Sequence, residues 1–490
     1  MKRLSKLLLA LFIACSITGC SQSTEVVDAT YEIYIAGYDW GCGVNKTILT
    51  LDKAVDDVDK NDFMVSETKQ VTDWEDEALP VVEKTLERVV DDAYSCDKDG
   101  QKIDGESKYI AIELYVSPND GSPLLYSATT HYNTWSDPYY LNISLAKNGE
   151  ITVDDKKVTK LDVSTEYTKK ITAADALELE KFKASDGIEL NYGHFNPKEP
   201  SNTLFVWLHG SGEGGTEDTN PQVTSLSNKV SAYFNDDFQN AVGNAYVLVP
   251  QCPTFWMDAD GNGGEWNDDL LVTHGPSYYT NALMELIKDY QSRCGATKVV
   301  LAGCSAGGYM TMRLILDYPD YFAAAIPICE ALPDDVISDQ QLSEIKDLPL
   351  YFIYSNDDPS IIPEKFEIPT INRLKNLGAT NLHVATFDSV IDTSGKYNDL
   401  NDGDPYQYNG HWSWIYFDNN ECYDENGVNA WQWLAKQIKT AAPVETPDQP
   451  TTPDQPANSV KTGDDVNFAG LGAIMMLTLA GIYVSRRKYN

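Results

Sequence analysis

Val299-Val300-Leu301-Ala302-Gly303-Cys304-Ser305-Ala306-Gly307-Gly308 is the stretch on which the reading of this chain turns. Four consecutive apolar residues predict a strand buried on both faces. The glycines then predict a tight turn, and 309–317 has a helical pattern. Gly-x-Ser-x-Gly between a strand and a helix describes a nucleophile elbow. There the serine takes a strained backbone and projects its hydroxyl into a cleft, while Gly303 and Gly307 let the turn pack on neighbouring backbone. The bare five-residue pattern is weak; the strand before it and the helix after it give it weight.

Working outward from Ser305, apolar runs at 204–208, 246–249, 299–302, 323–328, 350–354 and 382–387 alternate with helical patterns at 277–293, 309–317, 363–377 and 428–440. This alternation predicts an α/β domain over 186–440, a doubly wound and mostly parallel sheet, with its site at the carboxyl ends of the strands.

The run 204–208 leads into His209-Gly210-Ser211-Gly212-Glu213-Gly214-Gly215. Acyl transfer needs two backbone N–H groups to hold the oxyanion of the tetrahedral intermediate. Ala306, after the nucleophile, and Ser211, in this Gly-rich loop, are the candidates, with His209 and Gly210 shaping the loop. A phosphate cradle is the other reading, but the loop lacks a Gly-Lys-Ser/Thr ending and runs on to Glu217 and Asp218. The serine needs a base. Two histidines follow it: His383, inside a predicted strand, and His411, in a loop beside Trp412-Ser413-Trp414. His411 is the expected base and His383 structural. The acid should follow the run 350–354, where Asp357 and Asp358 stand side by side; spacing does not separate them.

Together, residues 209–215, 303–308, Asp358-Pro359 and Gly410-His411-Trp412-Ser413-Trp414 resemble the α/β-hydrolase esterases, and more narrowly their polyhydroxybutyrate depolymerase-like or feruloyl-esterase-like branch. The resemblance covers roughly 181–440. It implies a Ser305–His411–Asp358 triad, since the family's acid precedes a proline, although the spacing to Pro363 is one residue longer than in the family. It implies an acyl-enzyme, no cofactor and no metal, and a small-molecule or polysaccharide-linked ester as substrate. A serine peptidase of the prolyl-oligopeptidase-like group shares the triad, and a non-catalytic surface protein that binds carbohydrate is a third reading.

Residues 26–165 carry short alternating runs (31–35, 109–116, 139–145) between turn signals, which predicts a β-sandwich. With Tyr38-Asp39-Trp40-Gly41 the region resembles the Ig-like domain that precedes some of these esterases. The segment 74–90 reads as helical or unstructured. A hinge is expected over 166–185, with helical composition at 172–183. Tyr38, Trp40, Tyr132 and Trp135 form either a sugar platform or part of the core and domain interface.

Composition narrows the partners. The chain has 490 residues, 42% hydrophobic and 23% charged, with 74 acidic against 37 basic residues and a net charge of −37. Such a surface repels nucleic-acid phosphates and anionic headgroups. Beyond the N-terminus, Cys42, Cys96, Cys252, Cys294, Cys304, Cys329 and Cys422 form an odd set without Cys-x-x-Cys; only Cys42 and Cys96 are candidates to pair. Asp258-Ala259-Asp260-Gly261-Asn262-Gly263 with Asp269 imitates a calcium loop, against the plainer reading of a lid bounded by Phe255, Trp256 and Trp266.

Both ends carry addresses. Residues 1–20 form a basic and then apolar signal ending Ile17-Thr18-Gly19-Cys20, which resembles a lipobox, with Cys20 the lipidated residue. A Pro/Thr-rich stalk (441–458) repeats Thr-Pro-Asp-Gln-Pro. Residues 459–490 resemble a sortase signal, with cleavage between Thr462 and Gly463, an apolar transmembrane segment at 468–484 and a terminal Arg-Arg-Lys. The usual Leu-Pro of that motif is missing. A plain cleaved signal and a simple membrane tail are the alternatives. The expected location is the outer face of a Gram-positive envelope, lipid- or wall-anchored through the lipoprotein-processing machinery or sortase.

Overall fold

The structure, a computed structural model, describes residues 26–215, 221–263 and 276–441. Cys20, Thr462, Gly463, the segment 468–484, Glu217, Asp218, Trp266 and Asp269 lie outside them. Among the described residues no helix is long and apolar enough to cross a membrane.

Residues 26–172 build two facing sheets. One runs Lys160–Val163, Val26–Tyr38, Gly41–Val55, Ser107–Leu114, Val90–Cys96, with Lys169–Thr172 continuing beside Val26–Tyr38. The other runs Val81–Arg88, Phe63–Thr72, Tyr139–Leu145. Alternation in the first strand sends Tyr31, Ile33 and Ile35 into the core. Inside the sandwich Arg88 pairs with Glu67 at 2.9 Å, both side chains 1% exposed. Lys69 and Tyr139 also bond Glu67. Removing one partner of such a buried pair costs about 3–5 kcal/mol.

The second domain is one eight-stranded sheet. Its strands are β1 (Glu178–Lys183), β2 (Glu189–Phe195), β3 (Thr203–Leu208), β4 (Tyr246–Gln251), β5 (Lys298–Cys304), β6 (Ala324–Ile328), β7 (Leu350–Ser355) and β8 (Leu382–Phe387). Their order is β1-β2-β4-β3-β5-β6-β7-β8, antiparallel as far as β2–β4 and parallel beyond. The longer helices are α1 (Thr280–Cys294), α2 (Ala306–Asp317), α3 (Glu367–Asn376) and α4 (Ala430–Thr440). Every residue of β3, β5, β6 and β7 is buried, as strands covered on both faces require. Successive residues of β3 divide between two cores. Phe205 and Trp207 join an apolar cluster continuous with the sandwich; Leu204, Val206 and Leu208 pack with α1 and α2.

Two expectations fail, for one reason. Segment 74–90 contains a strand, Val81–Arg88, paired residue for residue with Phe63–Thr72. Residues 172–183 form no helix: Lys169–Thr172 pairs with the sandwich and β1 with β2. Val81–Arg88 and β1 are exposed, charged edge strands, protected by Lys and Glu rather than marked by apolar alternation. Passage between the domains is made over 173–177. Cys42 and Cys96 are both buried free thiols, so no bridge joins them.

The domains touch through polar and aromatic side chains. Lys229 pairs with Asp39 at 2.6 Å, Asn419 donates to both Asp39 oxygens, and Trp40 Nε1 donates to Tyr397 at 3.0 Å. Tyr38 stacks on Trp40, Tyr132 packs on Phe255, and Lys170 covers Trp135. The four aromatics weighed as a sugar platform are spent on this interface and its flanks.

Candidate active site

Ser305 stands where β5 ends and α2 begins, at φ 56°, ψ −119°. A non-glycine residue rarely holds a positive φ, and the strain persists only because its surroundings enforce it. Here the Ser305 amide donates to Ile328 O at 3.0 Å and its carbonyl accepts from Tyr309. The glycines make the turn possible. A Cβ on Gly307 would stand 2.7 Å from His209 O, and one on Gly303 2.8 Å from Leu208 Cβ, so the elbow lies directly on the end of β3.

The loop after β3 is held by His209. Its Nδ1 bonds Gly210 O at 2.6 Å, and its Nε2 accepts the Cys252 amide at 3.0 Å. That places the ring proton on Nδ1. Burial pulls the imidazole down to about 4, so it stays neutral, and it packs on Trp256. Trp256 is fully buried here rather than lining a lid. Ser211 opens the short turn Ser211–Glu213, and Ala306 opens α2. Among the described residues neither amide has an acceptor, as expected at helix starts. Ser211 Oγ is also buried without a partner.

His411 Nδ1 and Asp358 Oδ2 lie 2.7 Å apart, the carboxylate fully buried. Asp358 Oδ1 takes the Ser360 and Ile361 amides at 2.8 and 2.9 Å, and Asn409 accepts the His411 amide. The neighbouring Asp357 turns away: it is exposed and accepts from Ser355 Oγ at 2.6 Å. The two side chains diverge because the chain turns after β7. The structure thus brings Asp358, and not Asp357, to His411.

Cys329, at the end of β6, lies between the elbow and this pair. The Ser305 amide bonds Ile328 O, one residue before it, and the Cys329 Sγ is within 4.8 Å of the Asp358 and His411 ligand atoms. Among the described residues this is the one trio spaced to hold a metal ion. Burial pushes the Cys329 thiol well up, which keeps it protonated, and Asp358 and His411 already satisfy one another. The Cys304 thiol is raised the same way and is no nucleophile. Asp258, of the calcium-like loop, spends its carboxylate on Thr254 and on the amides of residues 260, 261 and 263.

The strand order and the elbow define an α/β-hydrolase fold, preceded by a β-sandwich. Residues 30–176 match the family of esterase Ig-like N-terminal domains. The N-terminal domain is thus similar to the Ig-like domains that precede esterases, and it is set before a domain of α/β-hydrolase fold. A thermostable esterase superposes with a TM-score of 0.63 at 21% identity, over 83% of this chain and 99% of that one. A ferulic acid esterase (TM-score 0.36, 13% identity, 54% and 98% covered) and the acylaminoacyl peptidase of Pyrococcus horikoshii (0.34, 14%, 70% and 50%) superpose too loosely to bear on chemistry. No curated protein sequence matches the chain.

Sequence reasoning missed three residues of this site. Cys329 follows an unremarkable apolar strand. Glu213 was visible only as an acid in a Gly-rich loop. Asn133, which donates to Glu213 Oε1 at 3.1 Å, comes from the other domain, and no local pattern marks it.

Proposed function

We propose that this protein hydrolyses carboxylic esters by acyl transfer through Ser305. The observation that carries the reading is the buried His411–Asp358 pair at the same end of the sheet as the strained Ser305. His411 Nε2 takes the Ser305 proton as Oγ attacks the ester carbonyl. The Ala306 and Ser211 amides receive the oxyanion. Asp358 holds the imidazole in the tautomer with its proton on Nδ1 and stabilises the imidazolium. His411 then protonates the leaving alcohol, and water activated by the same ring releases the acid.

A panel of p-nitrophenyl acyl esters, matched anilides and feruloyl and acetyl xylan, run beside Ser305→Ala, tests this. Ester turnover that disappears in the variant is the expected result. Faster anilide than ester turnover overturns it in favour of a peptidase. No labelling by a fluorophosphonate overturns it in favour of a binding protein.

On the same reading the enzyme works outside the cell, held by a lipid on Cys20 or by a wall linkage at Thr462, which the lipobox-like and sortase-like ends of the sequence support. Loss of fatty-acid labelling in Cys20→Ala, or loss of wall attachment in Thr462→Ala, identifies which anchor is used.

A further inference from the structure

The loop that carries Ser211 leans on the other domain. Residues 210–214 alternate glycine with Ser211 and Glu213, so they have little stiffness of their own. Above them lies a hairpin of the sandwich, Leu124–Tyr126 paired with Asn133–Trp135. Asn133 Nδ2 donates to Glu213 Oε1 at 3.1 Å. A Cβ on Gly212 would stand 3.2 Å from Asn133 Nδ2, and one on Gly214 the same distance from Tyr132 Cε1. The hairpin and the loop are thus in van der Waals contact on both sides of Glu213.

The Glu213 carboxyl is 6% exposed and curls under its own loop, with Oε2 3.2 Å from where a Cβ on Gly210 would be. The Glu213 carbonyl is held by Thr224 and Gln251, both at 3.3 Å. Ser211 stands two residues from this anchor.

We propose that Asn133 is a positioning residue for ester hydrolysis: by holding the Glu213 carboxyl it sets the direction of the Ser211 amide, so the sandwich domain completes the support of the oxyanion hole. The proposal rests on the esterase reading above. A buried carboxyl stripped of a donor relaxes toward water or another partner, and this loop has nothing stiff to resist it. Displacing an oxyanion donor by about 1 Å costs on the order of tenfold to a hundredfold in rate. Burial raises the Glu213 carboxyl to about 7, and the Asn133 hydrogen bond opposes that rise. Tyr126 and Cys304 are the other titratable groups that feel its charge.

The test uses the full chain with Asn133→Ala and Glu213→Gln, and Ser305→Ala as blank. Three quantities are read: kcat and KM on p-nitrophenyl acetate, the inhibition constant of a trifluoromethyl ketone, whose serine adduct is an oxyanion, and the thermal midpoint. Asn133→Ala is expected to lower kcat about tenfold with KM within twofold, and to weaken the ketone by the same factor. Glu213→Gln is expected to lose no more than about threefold. Its amide oxygen still accepts from Asn133. Wild-type kcat and ketone affinity in Asn133→Ala overturn the proposal, as does a change confined to the thermal midpoint. Absence of Ser305-dependent turnover in the wild type overturns the esterase reading itself, and this proposal with it.

Discussion

Two His–Asp pairs sit in the same domain with nearly the same geometry. His411 Nδ1 meets Asp358 at 2.7 Å, and His383 Nδ1 meets Asp424 at 2.8 Å. Each aspartate uses its other oxygen to take two amides: Ser360 and Ile361 for Asp358, Asn426 and Val428 for Asp424. The difference lies around the rest of the ring. His411 follows the last strand in a loop and stands beside Cys329, the residue after Ile328, whose carbonyl takes the Ser305 amide. His383 is inside β8, stacked on Tyr351 and tilted against Trp433. A short His–Asp bond is therefore a structural unit that serves two ends. Its neighbours at the other ring nitrogen decide whether it can move a proton.

That contrast can be broken by mutation. Replacing His411 by Ala is expected to cut kcat/KM on p-nitrophenyl esters at least about ten-thousandfold. His383→Ala should stay within about threefold and instead lower the urea-unfolding free energy by about 1–2 kcal/mol. Equal losses in the two variants would erase the distinction drawn here.

Next come the acids. Asp358→Asn should cost about a thousandfold to ten-thousandfold in kcat, because the amide favours the wrong tautomer. Asp424→Asn should leave kcat within about threefold and act on stability. Burial alone would raise Asp424, but the Val428 and Asn426 amides and His383 hold it below its ordinary value. A depressed carboxylate stabilises the fold above its unfolded pKa of about 3.9 and loses that contribution as pH falls through the folded one. The stability gap between wild type and Asp424→Asn should therefore close on acidification from pH 5 to pH 3, followed by urea titration.

Glu213 titrates in the opposite sense. Burial raises it from 4.5 to about 7. Stability associated with it is complete below about pH 4.5 and is lost as pH rises toward 7, by up to a few kcal/mol. Urea midpoints at pH 5 and pH 8 should show the wild type losing ground relative to Glu213→Gln; parallel behaviour of the two would count against a buried acid at this position. The smallest effect is expected at Asp357: Asp357→Asn should change kcat less than twofold, although the residue adjoins Asp358.

The comparison also shows what a linear pattern can carry. Ser305, His411 and the strand–helix alternation were legible because each rests on local rules. A buried parallel strand must be apolar throughout, an elbow needs Gly303 and Gly307, and a base must come from the histidines available. Asp357 and Asp358 were indistinguishable along the chain, since adjacent residues share one spacing. Their separation arises from the turn after β7, which buries one carboxylate and exposes the other. The charged strands Val81–Arg88 and Glu178–Lys183 escaped notice because pairing with a neighbour, not an apolar face of their own, keeps them extended.

By itself, then, the sequence determined the sheet of the second domain, the sandwich ahead of it and the strand–turn–helix at Ser305, all properties of short segments and their own chemistry. Only the tertiary structure decided which aspartate meets His411, which of two similar His–Asp pairs lies beside Cys329, and that Asn133 reaches Glu213 from another domain. These are contacts between residues 41 to 80 positions apart. Such contacts are set by how whole layers pack, and no local propensity encodes them.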